Sequence, residues 1–513
     1  MKKTILIFIF ALLSVALIAQ TITFTDPAFK TKLLQSSIDN MIAKNSVGEY
    51  FSIDANSNNL IEIDEALEVS ELNVSNSSIS SLSGIAFFTN LKTLNCNNNL
   101  IISLDASPLI NLKSLKCSNN QINSINITNL TILEKLECSN NNLAVITLSN
   151  LDKLIWLDCS YNHLLSLDIN NLEFIENLKC NNNLITSLSI GFLNSLNSID
   201  CSNNQLTTLN LNTLVGLLNL NCNFNHLSTL NFTNIFNIEL INCSNNLFTS
   251  LNVSPYTRLK NLNCTNNSIS SLILQNNTQL ESIYCSSNQL INLDLSLLNH
   301  LKYLYCNNNL INNLFITNLN ELLLLSCTNN QISSLVFQNS NNISSINCSF
   351  NHLSTLDLTN LHQLIDLNCS NNSLTSLYLK NDSFEENMEL GNNPNLTFIC
   401  ADASEIDFLS YVLSFYNIQN CTVNSQCNLD TPSFESPVTI KLFPNPAKEN
   451  VYYNIEPLEQ AQSIEIYNSF GQLIQTIFKP SATTLFVSDL KVGLYFVNFQ
   501  LDDKIITAKF IKG

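Results

Sequence analysis

The stretch LKSLKCSNNQINSINITNLTI, residues 112–132, decides the fold because it is one copy of a unit that recurs every 21 residues. Aligned on Cys117, the unit reads LxxLxCxxNxLxxLxLxxLxx, where L is an apolar residue, mostly Leu or Ile. Fourteen cysteines, from Cys96 to Cys369, keep this spacing without a break, and each is followed three residues later by Asn. Such strict periodicity predicts a solenoid of stacked, nearly identical turns.

Each unit predicts a short strand and a tight turn. Inward positions alternate around the cysteine, as at Leu115 and Cys117, so one face of the strand is buried. A single turn cannot bury that face alone, and neighbouring turns must therefore pair their strands into a parallel sheet over a continuous core. The recurring Asn, for example Asn120, is expected to form an interior ladder because its amide both donates and accepts hydrogen bonds. With so short a unit, the side opposite the sheet is expected to be extended or lightly turned.

This pattern resembles the leucine-rich-repeat family, specifically the short bacterial variants in which Cys replaces the third leucine of the strand. The resemblance covers residues 72–379 and implies a β-rich, right-handed solenoid with a parallel sheet on its concave side. We predict a regular array over residues 72–382, flanked by caps at 20–71 and 383–427. Its first unit is irregular, since the spacer at 84–91 is one residue longer than the standard one.

The cysteines fall into two groups. The fourteen periodic ones occupy an inward leucine position, and their side chains point the same way on adjacent strands, which is poor geometry for a disulfide. We therefore interpret them as small buried hydrophobic residues. The other three, Cys400, Cys421 and Cys427, lie after the array and are expected to supply one disulfide. We expect it to include Cys421, and the spacing leaves its partner open.

The N-terminal cap carries two predicted features. Asp26 followed by Pro27 predicts the start of a helix, with Phe29, Leu33, Leu34 and Ile38 on its apolar face. Residues 54–65, DANSNNLIEIDE, resemble an EF-hand calcium loop, with oxygen donors at Asp54, Asn56, Asn58 and Glu65. The loop departs from the family at Asn59, where the family has Gly. The resemblance implies a structural calcium ion that fastens the cap; the alternative is a polar turn that binds no metal.

The two ends of the chain predict export. Residues 1–19 are predicted to be a cleaved signal peptide, with Lys2 and Lys3 ahead of an apolar run. After a linker at 428–437, residues 438–513 show alternating patterns that predict a small antiparallel β-sandwich. The five predicted strands are at 451–455, 463–467, 473–477, 494–499 and 505–511.

Four motifs in this last segment resemble the C-terminal sorting domain of the type IX secretion system. They are LFPNP at 442–446, IEIYNSFGQ at 464–472, DLKVGLY at 489–495 and KFIK at 509–512. The departures are Asn468, where the family usually has Asp, and the additional Gly513. The resemblance implies the type IX machinery as a partner and a destination outside the cell or on its outer surface, whether anchored or released.

The composition and motifs favour binding over catalysis. A formal net charge of −18 disfavours nucleic acid as a partner, and neither an integral membrane protein nor an enzyme is expected. Three of the five histidines, His163, His226 and His352, simply follow the ladder Asn at equivalent positions of their turns. The sequence lacks a recognisable nucleophile, metalloprotease or nucleotide-binding motif.

Side chains one and three residues before each cysteine are predicted to face outward from the concave sheet. Tyr284, Tyr303 and Tyr305, with Leu324 one turn later, form a predicted exposed cluster, and Trp156 with Asp158 forms a second one six repeats earlier. Outward aromatic residues on a rigid surface are typical anchors for a partner, although they also stabilise neighbouring strands. We therefore expect a secreted or cell-surface protein that mediates protein–protein interaction or adhesion; the alternative is a glycan-binding or architectural protein of the cell envelope.

Overall fold

A computed structural model describes residues 20–230, 234–427, 439–456, 461–469, 471–480, 483–501 and 505–513. The predicted signal peptide at 1–19 and the predicted linker at 428–437 lie outside these residues. The chain divides into two compact units. The first unit runs to Leu217 and also includes the short stretch that ends at Ile235. The second unit contains the other residues from Leu218 onward.

The first unit is built on a parallel sheet of three-residue strands. Successive strands pair with an offset of one repeat, as where Leu115 lies opposite Leu136. The first pair, Leu72 opposite Leu94, is offset by one residue more, as the longer spacer requires. The two-residue strand Ala43–Lys44 pairs antiparallel with the first of them. The parallel strands are Glu71–Asn73, Thr93–Asn95, Ser114–Lys116, Lys135–Glu137, Trp156–Asp158, Asn177–Lys179 and Ser198–Asp200.

The second unit repeats this arrangement with nine strands among its described residues. They are Asn219–Asn221, Leu240–Asn242, Asn261–Asn263, Ser282–Tyr284, Tyr303–Tyr305, Leu324–Ser326, Ser345–Asn347, Asp366–Asn368 and Asn387–Glu389. Each pairs in parallel with the next, as in Leu262 opposite Ile283 and Leu304 opposite Leu325. Both units therefore have the stacked parallel turns that the period predicts.

The regular array extends beyond its predicted end at residue 382. Met388 lies opposite Leu367 in the sheet, and the Asn393 amide donates to the carbonyl oxygen of Cys369 at 3.0 Å, as a ladder Asn should. The pattern is hidden in the sequence because Glu385 stands at a core leucine position. Its side chain is fully buried, and burial together with the nearby Glu405 raises the pKa of Glu385 to about 8.

The opposite side of the turns is extended, as predicted. Short second strands pair in parallel between neighbouring turns, for example Leu104 opposite Ile125 and Phe315 opposite Val336. Among the described residues the α-helices are Pro27–Leu34, Ile63–Leu67 and Ile406–Phe415, and a 3-10 turn covers Ile85–Phe87. The second strands are Ser103–Asp105, Ser124–Asn126, Ser166–Asp168, Ser187–Ser189, Ser250–Asn252, Ser271–Ile273, Asn313–Thr317, Ser334–Gln338, Thr355–Asp357, Ser376–Tyr378, Phe398–Cys400 and Thr422–Asn424.

The core consists of columns of leucine, isoleucine and cysteine, lined by the Asn ladder. All fourteen periodic cysteines are buried and not disulfide-bonded, and burial raises the pKa of Cys96 to about 12. The Asn120 amide donates to the carbonyl oxygens of Cys96 in the preceding turn and Cys117 in its own turn, at 3.0 and 3.1 Å. Its oxygen accepts from the backbone N–H of Ile101 at 3.0 Å. The ladder therefore satisfies backbone groups that the tight turn leaves without partners.

The predicted N-terminal helix forms, but it is shorter than expected. The Asp26 carboxylate accepts from the backbone N–H groups of Ala28 and Phe29 at 2.7 and 3.2 Å, which is an N-cap. The helix ends at Leu34, and the Ser36 hydroxyl donates to the Leu33 carbonyl oxygen at 2.7 Å. Ile38 lies beyond this end and is 74% exposed, so its predicted place on the apolar helix face is wrong.

The expectation that Cys421 forms the disulfide is also wrong. Cys400 and Cys427 are bonded, and Cys421 is a free, half-buried thiol. The strand that follows Cys421 pairs in parallel with Phe398–Cys400. Cys400 therefore lies level with the end of that strand, near Cys427, whereas Cys421 precedes the other end. Strand pairing, which spacing alone does not reveal, selects the partner.

The C-terminal segment is an antiparallel β-sandwich. One sheet contains Thr439–Phe443, Asn450–Glu456 and Thr484–Phe486, and the other contains Ser463–Asn468, Leu473–Phe478, Gly493–Gln500 and Ile505–Lys512. Val451 and Leu485 from the first sheet share one core with Ile464, Val497 and Phe499 from the second. The sequence predicted five of these strands and missed Thr439–Phe443 and Thr484–Phe486. Within the described residues, every helix is too short or too polar to cross a membrane.

Candidate functional site

The structure brings the four predicted aromatic and apolar residues of the second unit together on the outer face of the parallel sheet. Tyr284 lies opposite Tyr305 in adjacent strands, and Tyr303 lies opposite Leu324. The rings of Tyr284 and Tyr305 stack with their centroids 4.9 Å apart and 11° between their planes. Tyr284 and Tyr303 are 37% and 39% exposed, and Tyr305 and Leu324 are half-buried. We call these four residues the tyrosine patch.

The rim of the tyrosine patch is polar. Partial burial raises the pKa of the Tyr284 phenol, and the neighbouring Tyr305 and Tyr303 add to this effect, so the phenol stays neutral. Beside Tyr303, the Lys302 ammonium pairs with the Glu281 carboxylate at 2.9 Å. That hydrogen bond raises the pKa of Lys302. The patch is therefore an apolar centre next to an ion pair.

The second predicted cluster, Trp156 with Asp158, takes a different form. The ammonium groups of Lys135, from the preceding turn, and Lys179, from the following turn, lie 5.2 and 5.4 Å from the indole ring centre. Within the described part of the chain, the buried Trp156 Nε1 has no hydrogen-bond acceptor. The Asp158 carboxylate accepts from the backbone and the hydroxyl of Ser160 at 3.1 and 2.6 Å. Asp158 thus stabilises its own turn, and the indole ring contacts two ammonium groups while its N–H is buried.

The 54–65 loop has a tightly hydrogen-bonded backbone. Asp54 accepts from the backbone N–H groups of Asn58 and Asn59, both at 3.0 Å. Glu65 accepts from the backbone N–H of Ala55 at 2.8 Å, which closes the two ends of the loop. Asn59 has a φ of 63° and therefore adopts the left-handed conformation at the position where an EF-hand has Gly. The departure noted in the sequence is accommodated by the backbone.

The donor set of this loop combines carboxylate and amide oxygens, the kind of ligand that calcium prefers. Asp54 and Glu65 are both buried, and burial, reinforced by the neighbouring Glu62, raises the pKa of Glu65. Glu62, which the sequence analysis did not include, accepts from the amides of Asn56 and Asn58 at 3.3 and 2.8 Å. Among the described residues, no group of three or more His, Cys, Asp or Glu side chains is placed to hold a metal ion. Calcium binding at this loop therefore stays a prediction, and it depends on the Asn oxygens as well as the carboxylates.

Residues that sequence reasoning missed lie beside the predicted ones in adjacent turns. Lys135 and Lys179 flank Trp156, and Lys302 and Glu281 flank the tyrosine patch. Lys135 and Lys179 are 21 and 23 residues from Trp156 in the sequence, and Glu281 is 21 residues from Lys302. An alignment of the repeats on their cysteines places these residues side by side, because residues one period apart are neighbours in the sheet.

Comparison with known proteins supports the predicted architecture. Residues 441–513 match the family model described as a secretion system C-terminal sorting domain. No curated protein sequence matches the chain.

The solved structures that resemble the chain are leucine-rich-repeat proteins. The functional domain of InlJ from Listeria monocytogenes, described as including a cysteine ladder, aligns with a TM-score of 0.54 and 22% identity over 88% of this chain and 92% of that one. A leucine-rich-repeat protein from Leptospira interrogans aligns with a TM-score of 0.54 and 22% identity over 71% and 97%. YopM from Yersinia enterocolitica aligns with a TM-score of 0.50 and 24% identity over 65% and 82%. Identities this low establish the fold alone.

Fold and sequence together define a solenoid with the fold of leucine-rich-repeat proteins and a buried cysteine ladder, followed by a type IX sorting domain at residues 441–513. A sorting domain of this kind implies export to the cell surface or to the extracellular space.

Proposed function

We propose that this exported protein is a binding protein rather than an enzyme, and that it holds a protein partner, in an adhesive role, on the tyrosine patch. The observation that carries the proposal is the convergence of Tyr284, Tyr303, Tyr305 and Leu324, from three consecutive turns, on one spot of the outer sheet face. Aromatic side chains at the centre of an interface contribute most of the binding free energy in typical complexes.

The geometry of the patch suits a protein interface. Hydrogen-bonded neighbouring turns hold the rings in place, so binding costs little conformational entropy. The ion pair between Lys302 and Glu281 supplies a polar rim beside the apolar centre. Tyrosine also presents a hydroxyl group that can hydrogen-bond to a partner once the ring is covered.

The Trp156 cluster favours the same class of partner. The two ammonium groups over the indole compete with a sugar for its ring faces. The exposed ammonium group of Lys179 over the ring instead suits a carboxylate group of a protein. We therefore propose Trp156, in the first unit, as a separate contact site for a protein partner.

The experiment uses the purified full chain, fluorescently labelled, on an array of extracellular proteins. We expect some spots to bind the wild type and to lose most of their signal with the double variant Tyr303→Ala/Tyr305→Ala. The matched control is Tyr411→Ala, which also removes an exposed tyrosine but outside the patch. If no protein spot depends on the two tyrosines, the proposed function is wrong. Signal on a parallel glycan array that depends on them would assign the patch to glycans instead.

A further inference from the structure

Three of the fourteen repeats carry the same pair of unusual residues. Two residues after the cysteine, ten repeats have Asn and one has Ser, but the remaining three have Tyr161, Phe224 and Phe350. The same three repeats have His two residues further on, at His163, His226 and His352, and none of the other eleven has His there. The aromatic residue and the histidine therefore occur as a pair.

The backbone at this position does not favour an aromatic residue. All fourteen residues adopt the left-handed conformation, with Tyr161 at a φ of 52°, Phe224 at 49° and Phe350 at 54°. Asn tolerates this conformation because its short side chain hydrogen-bonds locally, whereas a bulky residue is strained. Residues held in strained conformations tend to occur where function requires them.

Packing does not compensate for this strain. Tyr161, Phe224 and Phe350 are 56%, 52% and 55% exposed. Their paired histidines are exposed as well. A ring placed for stability would be buried, because its contribution grows with the apolar area removed from water. These rings are presented to solvent, each with an imidazole two residues away.

The setting of the rings indicates the class of ligand. Each ring stands alone in a polar column, with Asn140 and Asn182 in the turns beside Tyr161, and Asn329 and Asn371 in the turns beside Phe350. A protein interface would need a contiguous apolar patch. The net charge of −18 disfavours a polyanion. A neutral sugar fits both facts, since its C–H face stacks on a ring and its hydroxyl groups bond to imidazole and amide groups.

The spacing of the rings indicates a polymer. Within the second unit, Phe224 and Phe350 are six turns apart, which is about 29 Å at the usual distance between neighbouring strands. That span exceeds a mono- or disaccharide. We propose that each of the three aromatic–histidine pairs is a stacking site for a neutral, linear polysaccharide, and that Phe224 and Phe350, both in the second unit, bind the same polymer chain. This inference is independent of the tyrosine patch.

The test compares the full-length wild type with the triple variant Tyr161→Asn/Phe224→Asn/Phe350→Asn in affinity gel electrophoresis. The probes are soluble β-1,3-glucan, β-1,4-xylan and galactomannan. Asn is the residue that ten repeats already use, so the variant should fold, with a melting temperature equal to or above that of the wild type. We expect at least one polysaccharide to retard the wild type. The affinity of the triple variant for that polysaccharide should fall by about two- to tenfold for each ring removed.

Two further variants separate this site from the others. His163→Gln/His226→Gln/His352→Gln should weaken retardation while the melting temperature stays unchanged. Tyr303→Ala/Tyr305→Ala should leave retardation intact. The inference is overturned if none of the polysaccharides retards the wild type, if the triple Asn variant is retarded as strongly as the wild type, or if its melting temperature falls, since a fall would make the rings structural.

Discussion

The rings of Tyr284 and Tyr305 lie 4.9 Å apart and nearly parallel, although one full repeat separates them in the chain. Because they are opposite each other on adjacent strands, their contact should stabilise the stack of turns as well as present a surface. We expect a double-mutant cycle with Tyr284→Ala and Tyr305→Ala to give a coupling free energy of about 0.5–1.5 kcal/mol. Urea unfolding of the full chain measures it.

The control for this cycle pairs Tyr284→Ala with Tyr161→Ala. Tyr161 lies in the other compact unit, so the two changes should be additive within the usual experimental scatter. Additive changes for Tyr284 and Tyr305 themselves would show that the observed stacking contributes nothing to stability.

The Asn ladder predicts a large loss of stability from one buried amide. Asn141 donates to the carbonyl oxygens of Cys117 and Cys138 and accepts from the N–H of Ile122, at 3.0, 3.1 and 2.9 Å. Asn141→Ala leaves these buried groups unpaired and should lower the free energy of unfolding by roughly 2–4 kcal/mol. The adjacent, exposed Asn142 is the matched control, and Asn142→Ala should change the free energy of unfolding by less than about 0.5 kcal/mol. Similar effects of the two changes would contradict the ladder.

The hydrogen bonds of Asp26 predict that the N-terminal cap makes a pH-dependent contribution to the stability of the fold. Burial tends to raise its pKa, but hydrogen bonds from Ser80, Phe29 and Ser81 outweigh this and lower the pKa to about 2. Because the folded-state pKa lies below the unfolded value, the stabilisation is complete above about pH 4 and is lost as the pH falls towards 2. Asp26→Asn should therefore cost on the order of 2 kcal/mol at pH 7.

Melting temperatures of the wild type and Asp26→Asn between pH 2 and 7 test this. The difference between them should shrink below pH 4. Asp39→Asn, an exposed change in the same cap, should have little effect at any pH. A difference that stays constant down to pH 2 would show that the charge of Asp26 is not the cause.

The 54–65 loop predicts stabilisation by calcium. If Asp54, Asn56, Asn58 and Glu65 bind the ion, calcium at a hundred times its Kd should stabilise the fold by about 2.7 kcal/mol and raise the melting temperature. Because burial raises the pKa of Glu65, the effect should weaken as the pH falls and Glu65 becomes protonated. Asp54→Asn should abolish it, and the exposed neighbour change Asp64→Asn should not. Equal melting temperatures with calcium and with a chelator would rule the site out.

Most of the solenoid was predictable because its information is local and repeated. The inward strand, the buried cysteine column and the Asn ladder all follow from which residues return every 21 positions. The tyrosine patch was predictable for the same reason, since residues one period apart become neighbours on adjacent strands. Where the period was hidden, as at Glu385 in a leucine position, the predicted end of the array was wrong.

The features that the sequence did not reveal depend on contacts between different elements. The disulfide partner of Cys400 was set by the pairing of its strand with Thr422–Asn424. The two lysines over Trp156 depend on side-chain conformations that spacing leaves open. The strain at Phe350 is visible only once its backbone angle is known.

The sequence by itself determined a stack of parallel turns with a thiol, leucine and asparagine interior, followed by an antiparallel sorting domain. A strict period leaves only one way to bury every inward residue. Only the tertiary structure decided which thiols pair, where the array ends, and which outward side chains touch. These depend on distances between elements that no repeat unit contains.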